Sequence, residues 1–256
     1  MNLQEKKGMV YLIGAGPGDP DLITVKGLKI LKEADLILYD SLINPQLLEL
    51  PEIKNKEKIF VGKRKGQHSF SQEEINELLL RYARAGKIIV RLKGGDPFIF
   101  GRGGEELSYL KKHKIAIKVI PGITTASASS AVLQIPLTHR ELGRSVIFIT
   151  GYSSFNSEDE TGFPDYNWKL LSDPTLTIVI YMGLYHLERI AQRLIEEGRN
   201  ESTPVVIISK ATLPEQKFIR GTLKNIYQKS IEEKAEYPSL IIIGEVINLM
   251  DKDPFS

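Results

Sequence analysis

Short runs of unbroken apolar residues alternate with segments whose apolar residues recur every three or four positions. Val10–Ile13, Leu36–Tyr39, Ile59–Val61, Ile88–Leu92 and Ile115–Ile120 are strand-sized runs. They read as continuously apolar rather than alternating, the pattern of strands covered on both faces. Leu22–Ala34 places Leu28, Leu31 and Ala34 on one helix face. Ser71 and Glu74 have capping-box spacing, and Ile75, Leu78, Leu79 and Tyr82 follow at helical period until Gly86 closes the helix. Gly104–Lys112 predicts a further helix. Strands alternating with helices imply βαβ units and a largely parallel sheet.

Beyond Pro121–Thr124 the pattern changes. Ile123–Leu133 is rich in small residues and predicts a helix, although its serines and threonines favour that state less. Strands are predicted over Val146–Thr150, Leu176–Met182, Val205–Ser209 and Ser239–Ile243, with helices over Leu187–Glu197 and Leu223–Lys234. Lys217–Arg220 reads as one arm of a hairpin around Leu213–Pro214. Tyr152–Pro174 is polar and turn-rich, and predicts a long loop with one helical turn near Trp168; its length suggests a lid. The expected architecture is α/β, with two α/β domains of mostly parallel sheet, residues 1–122 and 123–256.

Composition narrows the chemistry. The chain has 256 residues, 42% of them hydrophobic and 26% charged, enough apolar material for real cores. Lys and Arg number 34 against 32 acids, and a formal charge of +2 does not indicate a dedicated nucleic-acid binder. Absence of cysteine excludes disulfides, thiolate zinc sites, iron–sulfur clusters and a cysteine nucleophile. The four histidines are scattered, so no metal is expected. No apolar run approaches a bilayer span, and the run after Lys6 and Lys7 stops at Gly14, too early for an export signal. The expectation is a cytoplasmic protein with no membrane or nucleic-acid partner.

Ligands of open parallel sheets bind outside the carboxyl ends of the strands. Gly14-Ala15-Gly16-Pro17-Gly18-Asp19, Asp40, Gly62-Lys63-Arg64-Lys65-Gly66, Gly94-Gly95-Asp96-Pro97 and Pro121-Gly122 all fall at such ends. Glycines there permit positive φ and close backbone approach to a ligand. Arg91, Lys93 and Arg102 recur at the same edge, and several cations there suit a ligand bearing many carboxylates or phosphates. Taken singly, each feature has a plain structural reading. Asp40 could cap the next segment, Lys63–Lys65 could be a solvated turn, and Met182-Gly183 could fill the core or wall a thioether pocket. Gly101-Arg102-Gly103-Gly104 is an expensive way to begin a helix, which favours a functional Arg102. There is no nucleophile elbow and no GxxxxGKS phosphate loop.

VYLIGAGPGDPDLIT, VGKR, VRLKGGDPFIFGRGGEE, VIPGITTASA, IPLTHR, YMG and LIIIGEV follow one another in that order. Together they resemble the uroporphyrinogen-III C-methyltransferases of the tetrapyrrole methylase superfamily, from about Val10 to Val246. The GAGPGD turn is shared across that superfamily, whereas GGDPFIFGRGGEE is much more specific. The resemblance implies two α/β domains with S-adenosylmethionine in the cleft between them, in a homodimer. It implies cofactor contacts from Pro17, Gly94, Gly95, Asp96, Ile99, Thr124, Thr125, Met182 and Ala211. Asp40 falls at the family's proposed proton acceptor and Lys63 at its proposed proton donor. Arg102, Glu105 and Arg140 match positions facing the tetrapyrrole, and Arg64 joins that cationic rim. Three positions depart from the pattern: Ser41 replaces a usual arginine, Thr125 a common alanine and Ala211 a glycine. Bifunctional relatives carry an extra N-terminal domain absent here, so methyltransferase activity alone is expected.

The implied reaction moves methyl groups from the sulfonium to C2 and C7 of uroporphyrinogen III, giving precorrin-2 for sirohaem or cobalamin synthesis and releasing S-adenosylhomocysteine. Asp40 would accept the proton lost afterwards, or Arg102 would hold the reactive enamine form. Other readings remain open: an NAD(P)-dependent oxidoreductase built on Gly14–Gly18 with Asp40 on the ribose, an RNA methylase, a later precorrin methyltransferase, or a non-catalytic sensor of S-adenosylmethionine.

Overall fold

The computed structural model describes residues 8–62, 70–153 and 158–251. The chain forms two compact units, Met1–Thr125 and Ala126–Ser256.

The first unit runs β1 (Met9–Gly14), α1 (Val25–Glu33), β2 (Leu36–Tyr39), α2 (Pro45–Leu48), β3 (Glu57–Phe60), α3 (Gln72–Arg84), β4 (Ile88–Lys93), α4 (Gly103–Lys112) and β5 (Ala116–Ile120). Its sheet is all parallel, in the order β3-β2-β4-β1-β5. The apolar runs behave as expected of covered strands: Val10, Leu12, Ile13 and Leu36–Leu38 are fully buried. Opposite faces of β4 serve different layers, because alternate side chains point to opposite sides. Val90 and Leu92 pack with Ile13, Ile37, Leu31 and Leu47, while Ile89 packs with Leu12, Leu38, Leu79 and Leu110. Arg91 and Lys93 continue the Ile89 face towards the carboxyl end of the strand. Helix α3 starts where its capping box predicts, with Ser71 Oγ accepting from Glu74 N (3.2 Å) and Glu74 Oε2 accepting from Ser71 N (2.7 Å).

The second unit contains α5 (Thr125–Val132), β6 (Ser145–Thr150), α6 (Trp168–Leu171), β7 (Leu176–Tyr181), α7 (Leu187–Glu196), β8 (Pro204–Ser209), β9 (Lys217–Thr222), α8 (Ile226–Glu232) and β10 (Ser239–Ile243). Its sheet, β6-β7-β10-β8-β9, departs from the expectation of mostly parallel strands. Only β6 and β7 pair in parallel, whereas β10 is antiparallel to both β7 and β8, and β8 to β9. The hairpin turn makes β8 and β9 antiparallel, and β10 slots between β7 and β8. A continuous apolar run such as Leu240–Ile243 reports burial, not direction.

The segment read as a long loop contributes Phe163, Trp168 and Leu171 to the core of this unit. Phe163 is fully buried and stacks on Trp168, with ring centroids 5.3 Å apart. Tyr166 Oη accepts from Thr150 N (3.2 Å) and donates to Thr150 O (3.1 Å), fixing this segment to β6. Among the described residues, no helix is long and apolar enough to cross a membrane.

Candidate active site

In the first unit the turns after β1, β2, β4 and β5 meet at one edge. Ala15 N donates to Lys93 O (2.8 Å), and Gly16 and Gly95 exchange two backbone hydrogen bonds (3.3 and 2.7 Å). Gly16 (φ +82°) and Gly95 (φ +64°) occupy the left-handed region that favours glycine. A Cβ on Gly14 would lie 2.5 Å from Gly95 O, and one on Gly122 only 2.2 Å from the same oxygen. The ends of β1, β4 and β5 therefore touch backbone to backbone, which no other residue permits.

Asp96 holds this contact in place. Its Oδ1 accepts from Phe98 N (2.8 Å) and its Oδ2 from Gly122 N (3.0 Å), tying the β4 turn to the end of β5. Ile99 N closes the same turn onto Asp96 O (3.4 Å). A Cβ on Gly95 would come within 3.8 Å of Thr125 N and Oγ1 and 3.9 Å of Thr124 Cα. One on Gly94 would lie 2.8 Å from Leu42 Cβ. Pro17 is half-buried, and Leu42, Phe98 and Ile123 keep much of their apolar surface exposed.

Two of the three glycines around Arg102 have a contact reason. A Cβ on Gly101 or Gly103 would lie 2.9 or 2.4 Å from Pro97 O, whereas one on Gly104 would meet nothing. Arg102 itself sits at φ 58° and caps α4 without a side-chain bond. Its guanidinium donates to both Glu105 oxygens, at 2.8 and 2.7 Å, and both side chains are about half exposed. That pairing raises Arg102 above its ordinary pKa and holds Glu105 below the usual carboxylate range.

Behind the edge lies a buried chain of charges. Asp40 follows β2; its Oδ1 accepts from Leu42 N (3.1 Å) and its Oδ2 from Arg91 Nη2 (3.2 Å). Arg91 Nε donates to Glu106 Oε1 (3.1 Å) and its Nη1 to Leu92 O (2.9 Å). Lys93 Nζ lies 3.1 Å from each Glu106 oxygen and donates to Oε1. Gln72 Nε2 reaches Glu106 Oε1 (3.3 Å) and Asn76 Oδ1 (3.1 Å). Side-chain exposure is 5% for Arg91, 4% for Lys93 and 0% for Glu106, against 23% for Asp40. Burial first, then the like charge of Arg91, pushes the Lys93 ammonium below the ordinary lysine range, with Glu106 and Asp40 opposing.

This corrects the expectation that Arg91 and Lys93 line the edge as cations for a ligand: both turn inward to Glu106. Sequence reading missed Glu106 as their partner. The signal was the Glu105-Glu106 doublet, since adjacent helix positions point about 100° apart and one of them faces the sheet.

The structure brings Pro17, Asp40, Gly94, Gly95, Asp96, Ile99, Arg102, Glu105, Thr124 and Thr125 into the first unit, along segments that follow its strands. Lys63 and Arg64 lie outside the described residues. Met182, Ala211 and Arg140 belong to the second unit. Met182 follows β7 with φ 55° and is half exposed. Its neighbour Gly183 packs so closely that a Cβ on Gly151 would lie 2.3 Å from Gly183 Cα. Ala211 is buried between Lys210 (φ 51°) and Thr212 (φ 68°). Arg140 is exposed in a turn closed by two backbone bonds between His139 and Gly143 (2.7 and 3.1 Å).

Comparison with known proteins places this geometry. A uroporphyrinogen-III C-methyltransferase from Methanocaldococcus jannaschii is 50% identical over 245 residues, 95% of this chain and 98% of that protein. A siroheme synthase from Acinetobacter baylyi is 49% identical over 246 residues, 96% of this chain but 52% of that protein, so the chain spans about half the length of such relatives. The crystal structure of a uroporphyrin-III C-methyl transferase from Thermus thermophilus, complexed with S-adenyl homocysteine, superposes with a TM-score of 0.77 at 38% identity, covering 95% of this chain and all of that one. Residues 9–227 match the tetrapyrrole (corrin/porphyrin) methylases, and the chain belongs to that family.

Proposed function

We propose that this chain transfers methyl groups from S-adenosylmethionine to C2 and C7 of uroporphyrinogen III, giving precorrin-2 for sirohaem or cobalamin synthesis. The observation that carries the reading is the Methanocaldococcus jannaschii relative, which matches at half identity along nearly its whole length. The Thermus thermophilus complex supports S-adenosylmethionine as donor and S-adenosylhomocysteine as product.

The residues present fit the cofactor. Gly94 and Gly95 bare the backbone, Thr124 and Thr125 lie beside it, and exposed apolar surface from Leu42, Phe98 and Ile123 suits an adenosyl group. Pro17, Ile99, Met182 and Ala211 complete the proposed contacts. Asp96 contributes indirectly, since its two oxygens hold the turn that presents Gly94 and Gly95. When bound, the cofactor supplies an electrophilic methyl group.

The chain's own task is then alignment and exclusion of water. Holding the reacting carbon in line accounts for as much as about 7–11 kcal/mol of barrier in favourable cases. Arg102 and Arg140, with Lys63 and Arg64, pair with the acetate and propionate groups of the macrocycle. Glu105 keeps the Arg102 guanidinium in one orientation. Asp40 takes the proton that the methylated macrocycle loses, and Lys63 is the complementary donor. The resemblance further supports a homodimer working in the cytoplasm.

The test is an anaerobic assay with methyl-labelled S-adenosylmethionine and freshly generated uroporphyrinogen III. Two labelled methyl groups on the tetrapyrrole are expected. Transfer to a different precorrin, or binding without transfer, would refute the assignment.

A further inference from the structure

The buried chain behind Asp40 is more than the fold requires. Ile89 shows that the inner face of β4 accepts an apolar residue, and apolar substitutes for a buried ion triad are often as stable or more so. Yet Arg91 and Lys93 occupy the next two positions of that face with a fully buried carboxyl group, Glu106, between them.

Arg91 bonds through all three of its nitrogens. Nη1 is fixed to Leu92 O and Nε to Glu106, which leaves Nη2 aimed at Asp40 Oδ2. Glu106 cannot swing away, because Lys93 from β4 and Gln72 from α3 hold it from two other sides. Asp40 receives one donor on each oxygen, from Leu42 N and from Arg91. The carboxyl plane is thereby set by groups on three elements, while the side chain keeps a quarter of its surface exposed.

We propose that Arg91 and Glu106 are positioning residues that fix the Asp40 carboxylate, through the Arg91 guanidinium, for proton transfer from the substrate. The inference rests on Asp40 as the proton acceptor. Methyl transfer to a pyrrole carbon forms a C–C bond, releases neutral S-adenosylhomocysteine and leaves one positive charge on the macrocycle. A C–H bond then breaks, its electron pair stays in the macrocycle and its proton goes to Asp40. Only a carboxylate held at one angle meets that C–H bond at every turnover, and a guanidinium fork holds an angle better than an ammonium.

The experiment is a double-mutant cycle on the full chain. Arg91→Lys and the isosteric Glu106→Gln are each made alone and with Asp40→Asn. Methyl transfer, KM for uroporphyrinogen III and S-adenosylmethionine affinity are measured. Each single variant is expected to lose about tenfold or more in kcat, with KM and cofactor affinity unchanged. In the Asp40→Asn background, either change should cost less than about twofold further. Losses that multiply in that background, or full kcat in both single variants beside an impaired Asp40→Asn, would overturn the proposal. If Arg91→Lys fails to fold, the Glu106→Gln arm decides alone. Full turnover by Asp40→Asn would instead defeat the acceptor reading itself, a failure visible in that variant alone.

Discussion

In the first unit Arg91, Lys93 and Glu106 face one another almost without solvent, while in the second Arg189 and Arg193 meet Glu158 and Asp159 at the surface. The surface cluster has an ordinary structural explanation. The Arg189 guanidinium lies 3.9 Å over the Phe163 ring and clips the 158–171 segment onto α7. The buried cluster joins β4 to α4 and α3 through Glu106, and also reaches the partly exposed Asp40 carboxylate. Sheet topology separates the two cases. Parallel strands deliver every turn to one edge, whereas the antiparallel pairs of the second sheet send successive turns to opposite edges. An inward-facing charge at the end of β4 thus has a neighbouring loop to act on, and one in the second sheet has fewer.

The contrast breaks most visibly at Glu106. Glu106→Ala strands two buried cations and is expected to lower folding stability by about 3–5 kcal/mol in urea titration. Replacing all three charges with apolar residues (Arg91→Met, Lys93→Met, Glu106→Leu) should restore most of that stability without restoring turnover. Recovery of turnover in the triple variant would reduce the cluster to packing.

Glycines at the same edge sharpen the contrast on a smaller scale. Gly122→Ala forces a Cβ against Gly95 O and should cost about 2–4 kcal/mol together with cofactor affinity. Gly104→Ala, in the open first turn of α4, should stabilise by about 0.5–1 kcal/mol and leave cofactor affinity intact. Thermal unfolding and cofactor titration of both variants check this pair.

The smallest effect belongs to the surface cluster. Bonds from Thr161 first, and from Arg189 second, lower the Asp159 pKa from 3.8 to about 2. A lowered acid pKa means that the unfolded chain binds the proton more tightly. The contribution is therefore full above pH 3.8 and is lost as pH falls through about 2. Arg189→Gln should weaken resistance to acid unfolding in that window, leave neutral-pH turnover unchanged, and lose its effect in high salt. An effect as large as that of Glu106→Ala would erase the distinction between the clusters.

Local signals were readable because they need no partner far along the chain. The Ser71/Glu74 capping box appears with both of its bonds, and β2 spans the predicted Leu36–Tyr39 end to end. The glycine turns sorted to one edge because parallel strands leave them no other place. Helix α2 went unread although its start was marked: Asn44 caps it through Gln46 N (3.0 Å) and Pro45 fills the first helical position. What stayed illegible depended on distant partners. The direction of β10 is settled by pairing with β7 and β8, and the burial of Arg91 and Lys93 by a carboxyl group on α4. The 152–174 segment looked polar because a few of its large residues, Phe163, Trp168 and Leu171, carry most of the burial, while many of its described polar residues face solvent.

The bridge between Gly16 and Gly95 has a consequence in time as well as in space. Its two hydrogen bonds form a separate antiparallel bridge just past the ends of the parallel strands β1 and β4, pinning segments that would otherwise move as loops do, in nanoseconds to microseconds. Their amides should exchange with deuterium only when the sheet itself opens. The turns after β1 and β4 thereby hold their shape before any small molecule arrives at this edge.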